Sequence, residues 1–228
     1  MDEITAAHQD YLKAIYLLRS QGREATNAAI AQALGVTPAS ATNMIRRLAD
    51  MGLVVYVAYR EVTLTPAGEQ VALEMVRHHR LIELFLHDVL GIPWDKVHAE
   101  AERLEHVISE ELEEAIAAKL GYPQFDPHGD PIPPKGGAEA AVGQSTLAGW
   151  PTHRPARLCR VRAQDSERLR YLGSLGLYPG ARVVVVDRAP FNGPLTVEVD
   201  GQRQVLAYEM ADTLLVNGLG EPEGETYA

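Results

Sequence analysis

Apolar residues recur at helical spacing through the first 120 positions. Leu12, Ile15, Tyr16 and Leu18 share one side of a helix expected over 3–20, with Asp10 and Lys13 on or beside that face. Thr26 and Asn27 suit the N-cap of a short second helix, Asn27 to Leu34, which Gly35 ends. Thr37-Pro38 opens a third helix through Asp50, with proline in the first turn, where its missing N–H is not needed. Its Ala41, Met44, Ile45 and Leu48 point inward. Short helix, glycine turn and longer helix together form the helix-turn-helix pattern. Val54–Val57 and Val62–Thr65 then read as two strands around Ala58-Tyr59-Arg60-Glu61, a β-ribbon wing. Pro66 starts a long helix to about Leu90. Pro93-Trp94-Asp95 opens the next, expected to run on to about Lys119. Val107, Ile108, Leu112, Ile116 and Leu120 form a stripe on it, suited to a core or to a dimer seam.

Helical periodicity stops near residue 121. Phe125 to Pro134 is turn-rich, and the small residues that follow read as a flexible linker over 136–154. From Pro155 the pattern is β. Five short strands are expected at Arg157–Val161, Ala181–Val186, Leu195–Val199, Gln202–Leu206 and Thr213–Val216, with one helix at Ser166–Leu175. Asp200-Gly201 is a hairpin turn. The expected fold is mainly α with a small all-β module. Residues 1–70 form a winged helix-turn-helix, 71–135 a helical domain, and 155–220 an SH3-like barrel.

Composition narrows the function. The chain has 228 residues with a net charge of −10, which argues against indiscriminate coating of nucleic acid. Residues 1–70 hold six Lys/Arg against seven Asp/Glu, whereas 71–120 hold five against eleven, so the acid surplus sits in the second segment. The single cysteine, Cys159, excludes an internal disulfide framework. No apolar run reaches the roughly 20 residues of a membrane span, and Met1-Asp2-Glu3-Ile4 has no signal-peptide character. A cytoplasmic protein is expected.

Two sets of residues carry candidate chemistry. The third helix offers Thr37, Ala39, Ser40, Thr42 and Asn43 outward, then Arg46 and Arg47. Small and hydroxyl side chains allow close approach to base edges, Asn can address adenine, and arginines suit phosphates. Arg60 lies near the wing tip, able to reach a backbone or minor groove. The second set is His79 and Glu83, then His98, Glu102, Glu105 and His106, all expected on helical faces that also hold core residues. Acids and imidazoles converging on a half-buried face call for a positive partner, and a divalent cation matches their nitrogen and oxygen donors. Asp126 and His128 are a further candidate ligand pair.

These features together resemble the metal-dependent repressor family typified by the diphtheria toxin repressor, over nearly the whole chain. The most specific motifs are Arg77-His78-His79-Arg80-Leu81 with Glu83, then Val97-His98 with Glu102, Glu105 and His106, and Gly129-Asp130-Pro131-Ile132-Pro133. The resemblance implies a primary regulatory site at Asp10, Glu102, Glu105 and His106. It implies an ancillary site at His79, Glu83 and His98, completed from the SH3-like module by Asp165 or Glu167, since Arg168 cannot ligate. Asp126 and His128 compete for that role. Carboxylates at Asp10 and Glu102, where iron-type relatives place Met and Cys, favour Mn(II) over Fe(II), although Zn(II) and Co(II) bind such donors tightly in vitro. Lys13 stands where two-manganese relatives have Glu, so two separated single-ion sites are expected. The implied partners are a palindromic DNA operator and a second copy of the chain, with no membrane and no small organic substrate. The implied function is repression of metal-uptake genes. The module over 155–220 also resembles a domain associated with ferrous iron transport.

Two other readings fit parts of the pattern. A winged-helix regulator of an organic ligand would use the metal structurally and bind DNA regardless of it. A metallohydrolase would need a substrate loop or nucleophile motif that the sequence does not offer, and the chain is not expected to be an enzyme.

Overall fold

The computed structural model describes residues 4–57, 60–137 and 145–219. The chain divides into two compact units. One comprises Met1–His79, Arg103–Glu110 and Pro133–Glu139; the other comprises Arg80–Glu102, Glu111–Ile132 and Ala140–Ala228.

The first unit holds α1 (Ala6–Ser20), α2 (Asn27–Ala33), α3 (Pro38–Asp50), β1 (Val54–Val55), β2 (Thr63–Leu64) and the opening of α4 (Pro66–Asp88). Capping follows the sequence. The Thr26 side chain accepts from the Ala29 amide and that of Thr37 from the Ser40 amide, so each satisfies an amide the helix leaves open. Leu12 and Ile15 of α1, Ile30 of α2, and Ala41, Ile45 and Leu48 of α3 are fully buried together. The wing is shorter than the four-residue strands expected. Among the described residues, Val54 pairs with Leu64 and Val55 with Thr63. The Val62 amide donates instead to the Ala25 carbonyl at 2.9 Å, and that of Thr65 to Leu53 at 3.0 Å. Gly68, in the first turn of α4, lets that helix start against β1, because a Cβ there would meet the Leu53 carbonyl oxygen. The wing tip expected at Ala58-Tyr59 lies outside the described residues.

The second unit joins the rest of α4, most of α5 (Val97–Leu104), α6 (Glu110–Lys119) and a six-stranded antiparallel sheet. Its strands are β3 (Ser145–Thr146), β4 (Pro155–Val161), β5 (Arg182–Arg188), β6 (Leu195–Val199), β7 (Gln202–Leu206) and β8 (Leu214–Gly218), in the order β3-β8-β4-β5-β6-β7. Helices α7 (Ser166–Ser174) and α8 (Tyr208–Asp212) complete the module. Asp200 turns the β6–β7 hairpin at φ 50°, as its pairing with Gly201 predicts.

Two expectations need correction. The helix read from Trp94 to Lys119 is two helices, interrupted over 105–109, so Glu105 and His106 sit in a turn rather than on a helical face. The β-branched pair Val107-Ile108 is a weak helix former, and Ser109 followed by Glu110 and Glu111 is a fresh N-terminal signal. The second concerns 145–150, expected within the linker. Ser145-Thr146 pairs with β8, and Leu147, Ala148 and Trp150 are buried in the barrel core. The apolar side chains outweigh the small residues around them. Residues 138–144 lie outside the described ones.

The turn-rich strip is fixed to the barrel within the second unit. The Val161 amide donates to the His128 carbonyl at 2.8 Å, and Gln164 Nε2 donates to Asp130 Oδ2 at 2.7 Å. Arg160 and Arg80 both pair with the Asp130 carboxylate. Gly129, at φ 83°, lies so close to β4 that a Cβ would sit 1.9 Å from the Cys159 carbonyl oxygen. Gly129→Ala is therefore expected to destabilise the second unit by about 2 kcal/mol or more. Both tryptophans, Trp94 and Trp150, lie in that unit's core, so urea denaturation followed by tryptophan fluorescence reads the loss directly.

Candidate metal centre and nucleic-acid interface

In the first unit, Asp10 of α1 meets Glu105 and His106 of the turn after α5. One ligand atom from each lies within 4.8 Å of the others. His106 Nε2 is 2.8 Å from Asp10 Oδ1 and 3.5 Å from Glu105 Oε1. Its other nitrogen, Nδ1, lies 2.8 Å from Gln9 Oε1. An Nδ1–H donated to Gln9 fixes the tautomer that leaves Nε2 as a lone-pair donor toward the two carboxylates, the arrangement a metal-ligating histidine needs. Gln9 carries no sequence signal of its own beyond being next to Asp10.

Glu105 is the buried member. Lys13 Nζ donates to both of its oxygens at 2.8 Å, and His79 Nδ1 lies 2.5 Å from Oε2 and 3.2 Å from Lys13 Nζ. Burial pushes the carboxyl up, but the His79 hydrogen bond and the charges of Lys13 and His79 outweigh that and hold it below its ordinary value. Glu105 is therefore ionised at neutral pH. Its partnership with Lys13, 92 positions away in sequence, has no local signature.

The second unit builds another cluster. Glu83 of α4 meets Asp126 and His128 of the strip, again with ligand atoms within 4.8 Å, and all three are buried. His128 Nε2 donates to the Trp94 carbonyl at 2.9 Å, which turns Nδ1 toward Glu83, 3.7 Å from its Oε2. Asp126 Oδ1 accepts from the His128 and Asp130 amides. Among the described residues, Asp126 Oδ2 and His128 Nδ1 have no hydrogen-bond partner although both are buried. Buried polar atoms in this position are costly unless a proton or a cation joins them. Burial pushes His128 down, yet Glu83 and Asp126 bring it up to about 9, while burial and the neighbouring Asp130 and Glu83 raise Asp126 well above its usual range. Protons occupy these groups at neutral pH, and a divalent ion would bind the two carboxylates and the imidazole by displacing them.

His98 Nδ1 lies 3.0 Å from Glu83 Oε1, and His98 Nε2 lies 3.9 Å from Glu102. Glu102 thus falls in the second unit, exposed, whereas Asp10, Glu105 and His106 fall in the first. His79 is likewise in the first unit and Glu83 in the second. Asp165, expected to complete the ancillary site, instead caps α7 by accepting from the Arg168 amide at 3.0 Å, and its side chain is also 3.5 Å from Arg168 Nε. Glu167 is exposed in the first turn of that helix. Neither joins a ligand cluster among the described residues.

On α3, Thr37, Ala39, Ser40, Asn43, Arg46 and Arg47 are exposed, as is Arg60 in the wing. Thr42 is half-buried, and its hydroxyl is engaged by the Pro38 carbonyl at 2.9 Å and by Asn27 Nδ2 at 3.0 Å. Thr42 therefore ties α3 to α2 and leaves the outer face to its neighbours.

Residues 3–62 match the family described as "Iron dependent repressor, N-terminal DNA binding domain", and residues 65–134 its "metal binding and dimerisation domain". Residues 146–218 match the FeoA domain. The chain is 34% identical to the iron-dependent repressor IdeR of Mycobacterium tuberculosis, over 95% of this chain and 99% of that one. It is 29% identical to the diphtheria toxin repressor of Corynebacterium diphtheriae, over 96% and 100%. Among solved structures, a manganese-dependent transcriptional repressor in complex with manganese superposes with a TM-score of 0.84 at 38% identity, covering 92% of this chain and 99% of that one.

The depressed carboxyl of Glu105 yields a stability prediction with a defined sign. Its contribution is present above the unfolded-state value near 4.5 and is lost as pH falls through the lower folded-state value. In chelator at pH 7, Glu105→Gln is expected to destabilise the protein by roughly 3 kcal/mol, because the Lys13 ammonium is left buried opposite a neutral amide. The gap between native and variant should narrow as pH falls below 4.5 and close once it is below the folded-state value. Urea denaturation by far-UV circular dichroism across that range checks both statements.

Proposed function

Because the chain belongs to the iron-dependent repressor family of metal-dependent, DNA-binding transcriptional regulators, we propose that it is a Mn(II)-activated repressor of metal-uptake genes acting in the cytoplasm on palindromic operators. The observation that carries this reading is the convergence of Asp10, from α1 of the DNA-binding head, on Glu105 and His106. Asp10, Glu105 and His106 Nε2 would hold the ion, which would add its positive charge to the one Lys13 already presents to Glu105. Asp10 then holds α1, and with it the core that seats α3, against the turn at 105–106. Fixing that core lets a homodimer present two recognition helices at a set spacing along DNA. Metal and DNA tighten each other by the same factor.

All donors in the first cluster are oxygen or imidazole nitrogen, which supports Mn(II), with Fe(II) the next candidate. Cys159 sits on β4, its Sγ directed at the Arg157 carbonyl, in no ligand cluster among the described residues. The buried atoms of Asp126 and His128 support a second ion at Glu83, Asp126 and His128, with His98 beside Glu83. Glu102 is the remaining candidate from the sequence, and Glu102→Gln measures whether a fourth carboxylate contributes to the response.

The test is fluorescence anisotropy on a palindromic promoter fragment, with chelator, Mn(II), anaerobic Fe(II) or Zn(II). Mn(II) is expected to tighten binding at least tenfold, about 1.4 kcal/mol, and Glu105→Gln to lose that response. Tight binding in chelator, unmoved by any metal, would overturn the reading. Metal titration should give two Mn(II) per chain in the native protein and one in Asp126→Asn. Arg60→Ala is expected to weaken binding to all DNA sequences alike and to lower the salt slope by about one.

A further inference from the structure

Glu105 already holds a cation. Lys13 Nζ lies 2.8 Å from both carboxylate oxygens, and one of these, Oε1, is also the oxygen facing His106 Nε2 at 3.5 Å. Lys13 is buried, with its side chain only 9% exposed, and His79 Nδ1 stands 3.2 Å from its ammonium. An exposed lysine could swing into water when another cation arrived; this one is enclosed by its partners. Asp10 and Lys13 are also three residues apart on α1, so they share one face of the helix. The helix that brings the ligand Asp10 to Glu105 therefore brings a competing positive charge to the same carboxylate.

We propose that Lys13 sets the metal threshold of the regulatory site, its buried ammonium acting as a resident cation on Glu105 against which an incoming divalent ion must bind. This rests on the reading that Asp10, Glu105 and His106 hold that ion. Like charges a few ångströms apart in a water-poor site repel far more than they do in bulk water. The ammonium therefore weakens metal binding, and in the same act it neutralises Glu105 while no metal is bound. It also ties α1 to the turn at 105 in the metal-free protein, which raises the baseline from which the switch works. Removing the charge trades metal-free stability for metal affinity.

The experiment measures Mn(II) affinity directly, by competition with a fluorescent chelator, for the full-length native protein, Lys13→Gln, Lys13→Met, Lys13→Arg and Glu105→Gln. The relevant sites are those that Glu105→Gln removes. Both neutral Lys13 variants are expected to bind Mn(II) at least tenfold more tightly than the native protein. They should also melt lower in chelator and show a larger rise in melting temperature on adding Mn(II). Lys13→Arg, which keeps the charge, should stay within threefold of native affinity. A neutral variant that is unfolded in chelator but folded in Mn(II) also supports the proposal, because the ion has then replaced the ammonium. Neutral variants that fold and bind with native or weaker affinity overturn it, as does a Lys13→Arg gain equal to theirs. Variants unfolded both with and without Mn(II) overturn it too, since the ammonium is then a scaffold that metal cannot replace. If Glu105→Gln retains every Mn(II) site, the site reading fails and takes this inference with it. If Glu105→Gln loses one while Lys13 variants stay at native affinity, only the inference fails.

Discussion

A buried carboxylate must have a positive partner, and in this protein that requirement falls on Glu105. Its side chain is fully buried, at the end of α5, where the chain leaves the helix. Lys13 and His79 meet it from α1 and α4, and His106 flanks it from the next position. Each contact fastens a different element of the first unit to one charge. The head that carries α3 and the turn that carries Glu105 and His106 are thereby linked through a single group whose ionisation is protected. Change the cation on that group and the linkage changes with it. A metal-dependent DNA-binding protein needs that kind of coupling.

The second unit solves the same electrostatic problem by different means. Arg80 is a cation that acts on Asp126 there, and the strip that presents Asp126 and His128 is held by backbone and by the Asp130 ion pairs. The Trp94 carbonyl orients the His128 ring, and Trp94, buried in the barrel core, packs against the exposed Tyr178 with ring centroids 4.8 Å apart. The SH3-like module is thus part of what orients the cluster, through Val161 and Gln164.

Much of this was legible in the residues. Thr26, Thr37 and Pro38 announce the starts of α2 and α3, and the spacing of Ala41, Ile45 and Leu48 announces the buried face. His106 and Asp126 stood out in the sequence as candidate donors, and the fold places each beside other acids and imidazoles. Three things were not legible, each for a physical reason. Apolar periodicity ran unbroken from Trp94 to Lys119, so it could not show that the chain turns at Glu105 to bury that carboxylate. Small residues around Leu147 and Trp150 masked the two side chains that anchor the segment to the barrel. An acid at a helix start such as Asp165 suits either a ligand or a cap, and only the fold shows that its Oδ1 caps α7.

The two clusters also differ in how they meet solvent, and that difference is one of time. Asp10 is 39% exposed in its side chain and His106 15%, whereas Glu83 is 1% and His128 0%. On the two-site reading proposed above, an ion held at the first cluster would exchange by diffusion past half-open side chains. One held at the second would exchange through a local opening of the strip, which breaks the Val161–His128 hydrogen bond and the Asp130 pairs together. The first cluster would then follow the present concentration of metal, and the second would keep a record of the past one.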